Sequence, residues 1–134
     1  MSDESRKLQA AVFSALNGNL TDEQSPANNV PVYDNVPENS APTYVEIGDG
    51  TQTNDDTKDG DGVEHELVLD IYSSYRGRQR TLFVMDQIKA LLNRASLSAS
   101  GYQVSPPIFT FSTVFREPDG IRGVMRFTIR TYPE

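Results

Sequence analysis

The sequence predicts an α/β (α+β) fold, a mostly antiparallel β-sheet with two helices packed on one face. Three observations carry that expectation. Two segments repeat apolar residues at three- and four-residue spacing, as amphipathic helices do. Several others alternate with period two or are dense in aromatic and β-branched residues, as strands are. The strands outnumber the helices, so one sheet whose apolar face lies under both helices is the simplest way to bury all of it. The chain of 134 residues suits one such domain, 1–134, and leaves no room for two sizeable ones.

Glu4 to Leu16 reads as the first helix. Leu8, Ala11, Val12, Ala15 and Leu16 share one face, and Gly18 supplies a stop. Phe13 falls off that stripe and is a candidate contact residue. A polar stretch leads to a short extended piece, Val30 to Tyr33, where Pro31 marks an edge position. Thr43 to Ile47 is a strand with Tyr44 and Glu46 on one face and Val45 and Ile47 on the other. Residues 48–62 are rich in Asp and Gly and almost devoid of apolar side chains. Such a segment buries too little surface to offset the entropy of being fixed, so a mobile acidic loop is expected there.

Val63 to Tyr72 alternates cleanly, with Leu67, Leu69 and Ile71 opposed to Glu66, Val68 and Asp70. After a turn at Ser73 to Gly77, a second helix runs from about Arg78 to Ala95. Thr81, Val84, Met85, Ile88, Leu91, Leu92 and Ala95 form its inward stripe. Leu82 and Phe83 lie off it, and two large apolar residues in that position call for another surface to cover them. Ile108 to Arg116 is aromatic and β-branched, and Glu117-Pro118-Asp119-Gly120 is a turn. Ile121 to Tyr132 then returns, with Met125, Phe127 and Ile129 facing one way and Arg126, Thr128 and Arg130 the other.

Charge divides the chain. Met1 to Asp61 holds 12 acidic and 3 basic side chains, a balance of -9, and Gly62 to Glu134 holds 7 and 9, a balance of +2, which together give the net -7. An acidic chain lacks the basic footprint of a general nucleic-acid binder, so direct DNA binding is not expected. Cysteine is absent, which removes disulfides, thiolate chemistry and Cys-based zinc sites. No signal peptide is read at the start, and no window is apolar for long enough to span a bilayer. No membrane association is therefore expected.

Candidate catalytic and metal motifs fail on spacing. The single histidine, His65, is flanked by Glu64 and Glu66, but neighbours on a strand point to the opposite face. The run Asp55 to Gly62 lacks the terminal Glu of a calcium loop and has no helix before it. Gly60-x-Gly62 and Gly120-x-x-Gly123 lack the strand–glycine–helix context of a phosphate loop, and no Gly-x-Ser-x-Gly elbow occurs. No enzyme activity, metal or cofactor is expected. The alternatives are a structural protein and a small soluble protein-binding module.

Arginine is the more informative residue. Arg76, Arg78 and Arg80 crowd the start of the second helix, where the helix dipole is already positive; they read either as a solvated surface or as meeting carboxylates of a neighbouring subunit. Arg122, Arg126 and Arg130 form a spaced row on one strand face that suits a lumen or a contact surface. With Phe13, Leu82 and Phe83 these are the candidate subunit-interface residues.

Four stretches together resemble the phage tail completion family, which includes tail terminators and tail-to-head joining proteins. They are Val32-Tyr33-Asp34-Asn35-Val36-Pro37; Ala41-Pro42-Thr43-Tyr44-Val45-Glu46-Ile47-Gly48; the strand through Asp70 and Tyr72 that runs into Tyr75-Arg76-Gly77; and Phe111 to Gly120 with its Asp119-Gly120 turn, followed by Gly123 to Phe127. The resemblance covers nearly the whole chain. It departs in the long acidic loop and in Arg122, where the family often carries His. The resemblance implies a small subunit forming a homo-oligomeric ring, usually a hexamer, at the head-proximal end of the tail, in the neck of the virion. Its implied partners are further copies of itself, the tail tube protein, and a head connector or head-completion protein, with DNA meeting it only by passing through the lumen. The place of synthesis implied is the host bacterial cytoplasm.

Overall fold

The computed structural model describes residues 3–22, 25–38, 40–48, 50–54, 62–75 and 77–133. In chain order the elements are α1 (Asp3–Leu16), β1 (Thr21–Asp22), β2 (Ser25–Asn29), β3 (Val32–Tyr33), β4 (Thr43–Ile47), β5 (Thr51–Asn54), β6 (Val63–Ser73), α2 (Gln79–Leu92), β7 (Tyr102–Val104), β8 (Ile108–Glu117) and β9 (Gly120–Pro133). β1 and β2 form a small antiparallel ribbon. The other strands build one sheet, antiparallel except for the β3–β4 pair.

That sheet reduces to five columns. β6 and β9 are its centre, paired along eleven residues from Val63–Thr131 to Ser73–Ile121. On one flank β4 and then β5 pair with β6. Ile47 lies opposite Leu69 and Thr51 opposite Glu66, so the outer side is one residue longer, a bulge. On the other flank β7 and then β8 pair with β9. There Val104 faces Thr131 and Ile108 faces Thr128, again one extra residue on the outside, at Ser105-Pro106-Pro107. Proline cannot donate to a ladder, which is why the break falls there.

Alternation assigns the faces. Val45, Ile47, Leu67, Leu69, Ile71, Met125, Phe127 and Ile129 are buried and register with one another across the columns. They form one core with Leu8, Val12 and Leu16 of α1 and Val84, Met85, Ile88 and Leu92 of α2. Both helices therefore cover the same face of the sheet, as the apolar stripes predict. Phe127 sits fully buried against Phe109, ring edge to face, with centroids 5.6 Å apart.

Gly123 lets α2 come this close. A Cβ there would meet Met85 Sδ at 2.5 Å and Thr81 Cγ2 at 3.0 Å, so the bare backbone of β9 is the seat of the helix. The β1–β2 ribbon is fastened to α2 by Gln87, whose amide oxygen accepts from Thr21 N–H at 3.0 Å while its nitrogen donates to Thr21 C=O at 2.8 Å. The side chain thus imitates a neighbouring strand.

Three expectations are corrected. Within the segment 48–62, read as one loop, Thr51–Asn54 pairs with β6; polar residues form this strand because the backbone ladder, not burial, holds it. Positions 49 and 55–61 lie outside the described residues. α2 ends at Leu92 rather than Ala95, because Asn93 turns to extended geometry and Arg94 takes a left-handed φ of 63°. Phe83, expected to be uncovered, is half-buried, whereas its neighbour Leu82 is 44% exposed. The strands β1, β2, β5 and β7 were not expected at all.

Candidate interaction surface

Among the described residues no helix covers the second face of the sheet. Its residues are the other half of each alternation: Tyr33 and Tyr44, then Glu64, Glu66, Val68, Asp70 and Tyr72 of β6, and Arg122, Val124, Arg126, Thr128 and Arg130 of β9. The arginine row read from the sequence is here, and β6 answers it with carboxylates. Arg122 Nε donates to Glu117 Oε1 at 2.5 Å and lies 3.8 Å from Asp70; Arg126 lies 3.8 Å from Glu66, and Arg130 4.0 Å from Glu64. Partly exposed pairs of this kind contribute about 0–1 kcal/mol each. They set charge and orientation more than stability.

An aromatic row crosses the same face at right angles to the strands. Tyr33 packs on Tyr44 (centroids 5.7 Å) and Tyr44 on Tyr72 (5.4 Å). The Arg122 guanidinium lies 5.7 Å from the Tyr72 ring, and Phe115 is registered beside Arg122. Burial drives the Tyr44 hydroxyl above its ordinary pKa, although the nearby positive charge of Arg122 opposes this. For Arg122, burial pulls the guanidinium down, but the hydrogen bond and charge of Glu117, helped by Asp70, outweigh it and the net shift is upward.

The residues that carried the family resemblance gather at this end of the sheet. Tyr72 Oη donates to the Asp119 carbonyl at 2.7 Å, closing the β8–β9 turn onto β6. A Cβ on Gly120 would fall on the Ser73 carbonyl, so the turn needs glycine for close approach. Asp34 and Pro37 are exposed in the loop after β3, Pro42 precedes β4 and accepts from Ser74 N–H at 2.8 Å, and Gly77 is exposed ahead of α2. Phe127 is core.

The start of α2 does not present three waiting arginines. Arg80 stacks over Tyr75 at 3.4 Å from the ring centroid and lies 3.8 Å from Asp22, so the ribbon answers its charge. Arg78 is exposed as the N-cap, with no side-chain cap. Arg76 lies outside the described residues. Phe13, 37% exposed on α1, and Leu82 remain uncovered as expected, but they sit on the helical layer and not beside the arginine row.

Sequence reasoning missed the outer edge. Ile108, Phe111 and Phe115 of β8 are 43%, 46% and 40% exposed. A bulge between Phe109 and Phe111 shifts the phase, so Phe109 pairs with Phe127 on the core side while Ile108, Phe111 and Phe115 register with Thr128, Arg126 and Arg122 on the uncovered side. Arg126 stacks over Phe111 at 5.3 Å. Aromatic content alone marked the strand; only the bulge tells which rings are outside.

Among the described residues nothing assembles reactive chemistry. His65 is buried with Nε2 at 2.9 Å from Thr131 Oγ1. It borders a cleft of about 520 Å³ between α1 and the β4–β5 bulge, whose rim includes Glu46, Glu66 and Asp70. Among the described residues no group of three or more His, Asp or Glu is disposed to hold a metal, and no helix is long and apolar enough to cross a membrane.

A sheet with one helix-covered face, one charged aromatic face and an apolar edge defines a structural subunit built for contact. The chain belongs to the tail completion protein gp17 family, whose model matches residues 6–132. Its role is accordingly structural, non-enzymatic and associated with the tail of a virion. In fold the chain is similar to a protein in the virion of a native gene transfer agent particle, with a TM-score of 0.84 and 24% identity over 96% of both chains. No curated protein sequence matches it.

Proposed function

We propose that this protein forms a homo-oligomeric ring, a hexamer, at the head-proximal end of a phage-type tail, where it ends polymerisation of the tube and offers the surface on which a head connector or head-completion protein docks. The observation that carries this reading is the family match across 127 residues, 6 to 132. The partners are further copies of the chain, the tail tube protein and the connector, and DNA only traverses the lumen. The place of synthesis is the host bacterial cytoplasm.

Ring contacts need large apolar residues that the free subunit leaves in water, and Phe13 and Leu82 meet that requirement on the helical layer. Half-buried Phe83 borders Leu82 on α2 and contributes its exposed part. Arg78 and Arg80 supply charge at the start of the same helix, and Arg122, Arg126 and Arg130 line the second face. The test is assembly of tails in the presence and absence of this protein. Tails of defined length with a ring visible by electron microscopy at one end are the expected result; tails of equal length without it overturn the reading.

A further inference from the structure

The two edges of the sheet are chemically opposite. β8 is an edge over its ten residues, since among the described residues it pairs only with β9. Edge strands in isolated subunits are normally blunted by charge, proline or distortion. This one has its distortions early, at Pro106-Pro107 and at the Phe109/Phe111 bulge. From Phe111 to Phe115 it is regular, with Phe111 and Phe115 exposed on the uncovered face on either side of Thr113.

Its other side meets a mixed flank of α2, Leu82 with Asp86, Lys89 and Asn93. Lys89 lies 4.6 Å over the Phe109 ring, and Asn93 Oδ1 accepts from Phe109 N–H at 3.0 Å, so the α2 stripe 82–86–89–93 runs alongside β8 and brings exposed Leu82 to that flank. A strand added to β8 would thus meet Ile108, Phe111 and Phe115 on the uncovered face and Leu82 on the other while pairing its backbone.

Charge identifies the occupant. β8 and β9 carry Arg116, Arg122, Arg126 and Arg130, and Arg94 stands where α2 hands over to this edge, its N–H bonded to Pro107 C=O at 2.7 Å. The far edge is β3, beside β4 and β5. No Lys or Arg occurs between Lys7 and Lys58, so these three strands and their loops carry only carboxylates, with Asp34 and Glu38 exposed just after β3. The acidic half of the sequence thus holds one edge of the sheet, while at the other edge Arg94 and Arg116 are exposed and Arg126 and Arg130, on the neighbouring β9, are about half exposed.

We infer that the β8 edge of one subunit receives the β3 edge of the next copy, Val32-Tyr33 and the Asp34 and Glu38 carboxylates, so that the sheet continues from subunit to subunit. The contact is head to tail, uses two different patches on every subunit, and closes into a ring when the rotation between copies permits. The inference rests on the ring reading above and adds which edges meet.

Two half-disabled variants test it by size-exclusion chromatography with light scattering. Phe111→Glu/Phe115→Glu disables only the β8 edge, and Asp34→Lys/Glu38→Lys only the β3 edge. Each should be folded by circular dichroism and monomeric alone. Mixed one to one they should form a heterodimer that grows no further, because each retains the edge the other lacks. Arg116→Glu, a surface charge change, should weaken wild-type assembly at least about tenfold, and raised salt should do likewise. A β8 variant that assembles like wild type overturns this inference and leaves the ring standing. So does a mixture that stays monomeric, or a β3-edge variant that dimerises through two β8 strands. Wild-type protein that stays monomeric at millimolar concentration overturns the ring and this contact together.

Discussion

The two faces of the central β6–β9 pair are made by the same twenty-two residues taken alternately, yet they answer to different demands. On the covered face, side chains meet within the chain: Leu69 beside Met125, Leu67 beside Phe127, with α2 seated on Gly123. On the other, the partners are charges and rings at 3.8 to 5.7 Å, held loosely and half in water. The difference teaches where to look for function in a protein without a reaction to perform. The covered face sets whether the subunit exists, and the second face and its edges are where the large exposed rings and charges of the sheet lie.

Substitutions should separate the two, and the largest effect belongs to the covered face. Phe127→Ala removes a fully buried ring and its edge-on contact with Phe109, a loss of about 3–5 kcal/mol. A melting temperature lowered by roughly 10–20 °C is expected in calorimetry. Gly123→Ala comes next. The new methyl must displace Met85 and Thr81, and overpacking of this kind costs about 1–3 kcal/mol, read as a lower urea midpoint with an unchanged slope.

Thr81→Val runs the other way. Thr81 Oγ1 is buried with no hydrogen-bond partner, so an isosteric methyl removes an unsatisfied hydroxyl and should raise stability by about 1 kcal/mol. A destabilised Val variant would mean that the hydroxyl is in fact satisfied in solution. Arg126→Gln, on the uncovered face, breaks a 3.8 Å pair with Glu66 that is about half exposed, and should shift thermal stability by less than about 1 kcal/mol. A larger loss would erase the distinction between the faces.

The smallest effect is a titration. Tyr44 has its pKa raised by burial, so the native state favours the protonated phenol. Its contribution to stability is complete below the ordinary tyrosine pKa and is lost as pH rises through the higher native value. Ultraviolet titration of the folded protein should show a step above the ordinary tyrosine range, and Tyr44→Phe should remove it.

Most of the covered face was legible in the sequence, because burial leaves a period. Leu67, Leu69 and Ile71, then Met125, Phe127 and Ile129, mark one side of two strands, and the stripes of α1 and α2 mark what lies on them. Backbone devices without a residue signature were not legible. β5 is polar throughout and owes its place to the ladder with β6, and the extra residue in β8 that turns Phe111 outward leaves no mark in composition. The arginines were legible as a row but not as pairs. Glu64, Glu66 and Asp70 lie some fifty residues earlier in the chain, and only the register of β6 against β9 brings them together.

The position of β9 has a consequence for how the molecule comes into being. It follows every other strand in chain order, yet it lies between β6 on one side and β7 and β8 on the other. Its partners on β6 are about fifty to seventy residues away, a separation that makes such contacts slow to form. Until β9 arrives, β6 lacks a neighbour along its whole inner side and α2 lacks its seat on Gly123. A nascent chain therefore holds β6 paired on one side only until β9 has been made, and its open side is exposed to non-native strand association. A ribosome that stops before β9 releases a chain whose core lacks Met125, Phe127 and Ile129 and whose β8 lacks the strand it pairs with.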